Sequence, residues 1–167
     1  MHHHAEGLHV QATPNMSGHG VFSMRDFVQG EYLLTWGGRI LTTSAIESER
    51  ADRNLYVVQV EEDLHSVTLP DLIGVGDYVN HSCDPNAVLS GQITLIARRD
   101  IRAGEQVLYD NATTNSIRLR EYEFVCLCGS PRCRGQVTAQ DWRRPDLQRL
   151  YRGQFSPYLQ RRIDAIW

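Results

Sequence analysis

Two stretches carry the strongest signals for the fold of this chain, Asn80-His-Ser-Cys-Asp-Pro-Asn86 and Cys126-Leu-Cys-Gly-Ser-Pro-Arg-Cys133. Taken alone, the first stretch is typical of a polar loop between two strands, because Asp, Pro and Asn favour turns. In that interpretation His81 is either a surface histidine or a core histidine with satisfied hydrogen bonds. The second stretch carries three cysteines, so the two stretches together indicate more than either does alone.

The cysteines of the second stretch predict a metal site. Zinc binds four thiolate or imidazole ligands in a tetrahedron. Gly129 and Pro131 favour a turn, which would bring the three cysteines of this stretch together as three of those ligands. The only other cysteine of the chain is Cys83, which would fold the tail back onto the first stretch. A histidine as the fourth ligand and three thiols without metal remain alternatives. The predicted zinc ligands are Cys83, Cys126, Cys128 and Cys133.

Two further stretches are weak signals by themselves. Ser17-Gly-His-Gly-Val-Phe22 has two glycines spaced by one residue, which allows the backbone to approach a ligand closely. Gly104-Glu-Gln-Val-Leu-Tyr-Asp-Asn111 is typical of a turn followed by a strand.

In this order and spacing, the four stretches resemble the SET domain family of S-adenosylmethionine-dependent methyltransferases, over about Asn15 to Gly135. The Trp36-Gly-Gly38 turn and the short length look like the compact bacterial members. The resemblance implies a mainly β fold of small sheets around a pseudoknot, in which the Gly104–Asn111 strand threads beneath a loop. It also implies three parts: a SET domain over 5–121, a post-SET zinc-binding segment over 122–137 and a C-terminal helical extension over 138–167.

The resemblance also assigns roles to individual residues. The implied cofactor-binding residues are Gly18, His19, Gly20, Tyr78, Asn80, His81 and Leu127, with S-adenosylmethionine as the cofactor. Tyr56 matches a tyrosine that lines the family's lysine channel, and Tyr109 matches the position that limits how many methyl groups fit. Asn111 completes the predicted catalytic set.

Two departures from the family pattern bear on function. Asn111 stands where the family has its principal catalytic tyrosine, and Asp77 stands where an arginine is common. The sequence therefore predicts methyl transfer to a protein lysine, with two alternatives. One is a SET-fold protein that binds S-adenosylmethionine or a small molecule and catalyses a different reaction or none. The other is a zinc-bearing interaction domain without a cofactor.

Composition limits the class of protein. The chain has 167 residues, of which 41% are hydrophobic and 22% charged, which is typical of a globular domain. A net charge of −3 argues against a generally basic nucleic-acid binder, so no direct nucleic-acid binding is expected. No apolar run approaches the roughly 20 residues that span a bilayer. The first residues lack an apolar signal core, which predicts a reducing, cytoplasmic location. All 17 basic residues are arginine.

Local patterns predict the remaining elements. Ser44-Ala-Ile-Glu47 is a capping box that would open a helix through about Ala51. Strands are expected over Leu55–Glu61, Gln92–Arg98 and Gln106–Tyr109, and helices over Asp146–Arg152 and after Ser156-Pro157. In the last helix Leu159, Ile163 and Ile166 would share one face. The six arginines between Arg143 and Arg162 are either the solvated side of these helices or a site for an anionic partner.

Overall fold

The fold is described by a computed structural model, which covers residues 3–13, 18–49, 55–119 and 122–166. Its strands are β1 (His3–His4), β2 (Leu8–Thr13), β3 (Gly18–Ser23), β4 (Tyr32–Thr35), β5 (Arg39–Thr42), β6 (Tyr56–Glu61), β7 (Leu64–Thr68), β8 (Asn80–His81), β9 (Ala87–Ser90), β10 (Thr94–Ala97), β11 (Gln106–Tyr109), β12 (Phe124–Val125) and β13 (Gln136–Val137). Its α-helices are α1 (Thr43–Glu49), α2 (Pro145–Leu150) and α3 (Pro157–Asp164). Short 3-10 turns cover Pro70–Leu72, Val75–Tyr78, Asn111–Thr113 and Asp141–Arg143. The predicted mainly β fold is confirmed.

The strands form four small sheets. Their orders are β1-β4-β10-β9, β2-β3-β11-β8, β5-β7-β6 and β12-β13. The two four-stranded sheets share one apolar core, in which Val21, Leu34, Leu95 and Val107 are completely buried. These four residues are aliphatic, and their side chains point inward from β3, β4, β10 and β11. Because alternate residues of a strand lie on one face, each strand contributes alternate side chains to the core.

The strand β11 lies between two segments that precede it in the chain. It pairs antiparallel with β3 and parallel with β8, where Leu108 faces Asn80 and Tyr109 faces His81. The side chain of Asn86 bridges two backbone groups of this strand, because its Nδ2 donates to the Gln106 carbonyl at 2.8 Å and its Oδ1 accepts from the Leu108 N–H at 2.9 Å. This insertion is the arrangement that the predicted pseudoknot requires.

The first helix begins two residues earlier than its capping box predicts, at Thr43. The hydroxyl of Thr42 accepts a hydrogen bond from the Ala45 N–H at 3.2 Å, and the Thr43 N–H donates to Asp63 at 3.2 Å. The capping role predicted for Ser44 is therefore wrong, because the last residue of β5 already provides the cap. The predicted end near Ala51 lies outside the described residues.

The C-terminal helices pack on the turn that follows β11. Their cluster is formed by Ala112, Trp142, Leu147, Tyr151, Phe155, Tyr158, Leu159 and Ile163. Ile166 is 57% exposed, because α3 ends at Asp164, so its predicted place on the apolar face is wrong. Arg161 and Arg162 pair with Glu61 and Glu62, which ties α3 to the end of β6. Among the described residues, no helix has the length and apolar character that crossing a bilayer requires.

Candidate functional site

One cavity of about 410 Å³ collects most of the residues that the sequence singles out. Its walls come from β6, the Val75–Tyr78 turn with β8, the end of β11, and the Phe124–Cys128 segment. Six predicted catalytic and cofactor residues line it, Tyr56, Asn80, His81, Tyr109, Asn111 and Leu127, and so do two predicted zinc ligands, Cys126 and Cys128. The volume falls within the usual range for a small-molecule site.

The other four predicted cofactor residues lie beside this cavity without lining it. The Asn80 amide donates to the His19 carbonyl at 2.7 Å, and the ring of His19 lies 5.6 Å from that of Tyr78. Gly18 and Gly20 belong to the same strand, β3. A Cβ on Gly20 would collide with the amide of Gln106, so a larger residue here would force that side chain to move. Asn80 thus joins the glycine strand to the cavity.

Aromatic rings form one side of the cavity. Trp36 meets Tyr109 edge to face with ring centroids 5.1 Å apart, and its indole N–H donates to the Gly76 carbonyl at 2.9 Å. Tyr56 meets Tyr78 in the same way at 5.9 Å. Burial raises the pKa of both Tyr56 and Tyr109 above the ordinary value of 10.0. Both phenols are therefore neutral near pH 7, when each can donate and accept hydrogen bonds.

His81 connects the cavity to the cysteines. Burial lowers the pKa of His81 to about 4, with Asp110 opposing the shift, so the imidazole is neutral near pH 7. Its Nδ1 accepts from the Asn111 N–H at 3.2 Å. The ring proton is then assigned to Nε2, which lies 3.3 Å from the sulfur of Cys83. His81 therefore contacts a cysteine of the predicted zinc site and the residue at the predicted catalytic position.

The two residues that depart from the family pattern both line the cavity. Asn111 is 8% exposed and begins the turn after β11. The side chain at this position is therefore an amide, whereas the resemblance to the family predicts the phenol of a tyrosine. Asp77 accepts a hydrogen bond from the Gly74 N–H at 2.8 Å, and its negative charge contributes to the raised pKa of Tyr56. The cavity wall thus carries a carboxylate in place of a guanidinium.

The four cysteines come together as a possible metal site. Their sulfur atoms all lie within 4.8 Å of one another, and the sulfurs of Cys83 and Cys126 are 3.8 Å apart. A tetrahedral zinc site with bonds of about 2.3 Å has sulfur–sulfur edges of about 3.8 Å. Among the described residues, the ligand atoms that cluster here are the four thiols, so the set could hold a metal ion without a histidine.

The surroundings of the cysteines favour thiolates unevenly. Burial raises the pKa of Cys83 to about 11 and raises that of Cys126 further. Burial opposes ionisation of Cys128 as well, but hydrogen bonds from the backbone of Cys83 and Ser130 lower the pKa of Cys128 to about 7. Of these three thiols, Cys128 is the one that most readily gives up its proton when a cation binds.

Several residues of the site carry no predicted role. The ring of Phe124 meets that of His81 edge to face at 5.5 Å, and both line the cavity. Its position two residues before Cys126 is a usable signal, because alternate residues of an extended segment share a face. Arg134, next to Cys133, donates a backbone N–H to the sulfur of Cys83 at 3.3 Å. No spacing in the sequence points to that contact.

Comparisons with known proteins agree with this arrangement. The family model of the SET domain matches residues 18–110, within the predicted 5–121, although the predicted three-part division itself stays a prediction. The variant-silencing SET domain-containing protein of Plasmodium falciparum is 30% identical over 134 residues, which are 70% of this chain and 5% of that protein. The histone-lysine N-methyltransferase trr of Drosophila melanogaster is 29% identical over 136 residues, 74% of this chain and 5% of that protein. The histone-lysine N-methyltransferase SUV39H2 of Xenopus tropicalis is 26% identical over 158 residues, 78% of this chain and 39% of that protein.

Among solved structures, the methyltransferase domain of human histone-lysine N-methyltransferase SETMAR aligns with a TM-score of 0.59 at 20% identity. The alignment covers 78% of this chain and 58% of that one, and it supports the fold. The chain spans well under half the length of the curated relatives named above. Because the SET domain model matches more than half of its residues, this chain belongs to the SET domain family.

Proposed function

We propose that this chain transfers a methyl group from S-adenosylmethionine to the amine of a protein lysine. The observation that carries the proposal is that one cavity joins Asn80, His81 and Leu127 to Tyr56 and Tyr109. The first three are the residues assigned to the cofactor, and the two tyrosines are those assigned to the lysine channel. Two of the relatives named above are histone-lysine N-methyltransferases, which supports a protein substrate.

Two features of the structure fit S-adenosylmethionine. The amide nitrogen of Gln106 is buried without a hydrogen-bond partner and lies against Gly20, which leaves a donor for the polar end of a ligand. Val125 and Leu127 line the cavity yet are 67% and 66% exposed, which leaves apolar surface for a flat ring to cover. The cavity therefore offers an apolar surface for a ring, and an unpaired amide donor lies beside it next to the glycine strand.

The chemistry divides between the cofactor and the protein. S-adenosylmethionine supplies an activated methyl group on a positively charged sulfur. The aromatic wall of Trp36, Tyr56 and Tyr109 excludes water from the lysine amine and lowers its pKa, so the amine loses its proton. The neutral hydroxyls of the tyrosines can orient the amine through hydrogen bonds. Asn111 retains an acceptor oxygen on a shorter arm but cannot ionise.

We also propose that the four cysteines hold one zinc ion as a structural site. The sulfur–sulfur distance of 3.8 Å and the four-thiol ligand set support this assignment. The hydrogen bond from His81 to Cys83 would stabilise a thiolate in that position. On this assignment the cysteines are zinc ligands and not disulfide partners, and we propose a reducing, cytoplasmic location.

One observation favours a second function. Asn111 and Asp77 both line the cavity, so the chemical groups at the reaction site differ from those of the family. A SET-fold protein that binds S-adenosylmethionine or another small molecule, and catalyses a different reaction or none, is therefore the second candidate. In that case the amide of Asn111 would bind a ligand in place of a lysine amine.

Titration calorimetry with S-adenosylmethionine and with its demethylated product tests cofactor binding. Transfer of labelled methyl groups to a mixture of peptides and cell lysate then tests the reaction. The chain contains no lysine, so self-methylation of side-chain amines cannot contribute label. Binding with transfer to protein lysine supports the first function, and binding without it supports the second. If neither ligand binds, the methyltransferase function is contradicted. A SET-fold protein for another small molecule and an interaction domain without a cofactor then remain.

A further inference from the structure

Asp110 is a buried carboxylate between β11 and the turn that begins at Asn111. Its side chain is fully inaccessible to solvent. Arg134 donates from Nη1 to Oδ2 at 2.7 Å and from Nη2 to Oδ1 at 2.8 Å. The Tyr151 hydroxyl donates to Oδ2 at 2.9 Å, and the Ala112 N–H donates to Oδ1 at 2.9 Å. Three separate parts of the chain therefore hold this carboxylate.

Arg134 reaches the cysteine cluster as well. Its side chain is 4% exposed, and its Nε donates to Oδ2 of Asp141 at 2.9 Å. The other oxygen of Asp141 accepts from the Thr138 hydroxyl at 2.9 Å, so this second carboxylate is also fixed. The backbone N–H of Arg134 donates to the sulfur of Cys83, and its neighbour is Cys133. A single residue thus contacts the predicted metal site and the turn at the reaction site.

This network leaves the turn little freedom. A buried ion pair resists displacement, because moving one partner leaves the other charge uncompensated. A guanidinium that bonds both oxygens of a carboxylate also fixes its orientation, which a single ammonium cannot do. Asn111 lies between Asp110, which Arg134 holds, and Ala112, whose N–H donates to Asp110. The N–H of Asn111 itself donates to His81. A shift of Arg134 would therefore move Asn111.

We infer that Arg134 is a positioning residue for the reaction site: its ion pair with Asp110 fixes Asn111 relative to the cysteine cluster. The metal site and the methyl-transfer site then behave as one rigid unit, and loss of the metal loosens the turn at Asn111. The inference rests on the proposed function only in that Asn111 must belong to the reaction site.

Backbone amide hydrogen exchange of the full chain, followed by NMR, tests the inference without an activity assay. Tyr151→Phe removes one donor from Asp110, and Arg134→Lys removes the two-pronged contact. The amides of Asn111 and Ala112 should exchange about tenfold faster in Tyr151→Phe, since one hydrogen bond to a charged group is lost, and faster still in Arg134→Lys. The amides of β2 and β3 should keep their wild-type rates, and the zinc content of unchelated protein should be unchanged.

Tyr122→Phe is the matched control, because it removes a buried tyrosine hydroxyl that bonds His65 at 2.8 Å, away from Asp110. This control should leave exchange at Asn111 and Ala112 unchanged. Chelation of zinc from the wild-type protein should accelerate the same two amides. Where methyl transfer is measurable, Tyr151→Phe should lower kcat and leave the Kd for S-adenosylmethionine unchanged.

Two results would overturn the inference. One is that the amides of Asn111 and Ala112 exchange at wild-type rates in Tyr151→Phe and that chelation of zinc from the wild-type protein leaves their rates unchanged. The other is equal acceleration of all amides, which indicates a purely structural role. If Arg134→Lys does not fold, Tyr151→Phe decides. Absence of methyl transfer in the wild type would refute the proposed function, while the exchange rates would still decide the role of Arg134.

Discussion

Replacement of Cys83 by serine should lower the free energy of unfolding, and the size of the loss depends on the length of chain between the metal ligands. Cys83 and Cys126 are 43 residues apart, and a metal bound to both closes that loop. The chain-entropy relation for a cross-link gives about 4 kcal/mol for a loop of this length. For a chain of this size, that free energy corresponds to a fall in Tm of about 8–16 °C. Thermal unfolding followed by circular dichroism, together with elemental analysis for zinc, measures both effects.

Cys128→Ser is the matched control for this prediction. It makes the same chemical change, but the loop stays closed through the three remaining thiols, since Cys83 and Cys126 are intact. Its fall in Tm should therefore be clearly smaller than that of Cys83→Ser. Equal shifts in the two variants would refute the loop argument. Unchelated wild-type protein without zinc, or full zinc retained in Cys83→Ser, would refute the metal site itself.

Three further predictions concern the cavity and the buried tyrosines. Asn80→Ala should weaken S-adenosylmethionine binding by about 1–3 kcal/mol, because the amide that joins the glycine strand to the cavity is lost, and an unchanged Kd by calorimetry would contradict the site. Asn111→Tyr should raise the rate of labelled methyl transfer if the wild type is a weakened lysine methyltransferase; loss of wild-type activity in this variant would show that the amide itself is required. Burial raises the pKa of Tyr109, Tyr151 and Tyr158, so unfolded chains lose these protons first and stability falls as the pH rises above about 10. The tyrosinate absorbance of these three side chains should therefore appear together with unfolding, and titration of every tyrosine near pH 10 with the fold intact would disprove this.

The sequence was most informative for the predicted metal site, because a metal ion requires a defined number and type of ligand atoms. Four cysteines in the whole chain leave few ways to build a thiol site, so the cysteine count by itself favours the pairing of Cys83 with the tail. The glycines of β3 were a weaker signal, because Gly20 makes room for the side chain of Gln106, a neighbour in space that lies far away in sequence. Their role in binding the cofactor remains a prediction.

Contacts between distant segments were not predictable in the same way. Arg134 bonds Asp110 across 24 residues, and Tyr151 bonds it across 41, with no spacing rule that connects them. The first helix shows the same limit on a smaller scale. Two hydroxyl residues, Thr42 and Ser44, compete for the capping position, and the end of a strand decides between them.

The position of the cavity wall in the chain affects the order in which the protein can fold during synthesis. The wall at Phe124–Cys128 follows both β8 and β11, which pair with each other in the β core. The strands that hold Asn80 and Tyr109 are all made before the first cysteine of the tail leaves the ribosome. A nascent chain can therefore form the β core while the cavity still lacks one wall. Closing the 43-residue loop between Cys83 and Cys126 is then the step that completes the cavity. On the proposed assignment, zinc supply at that moment would set how many new chains mature into a form able to bind the cofactor.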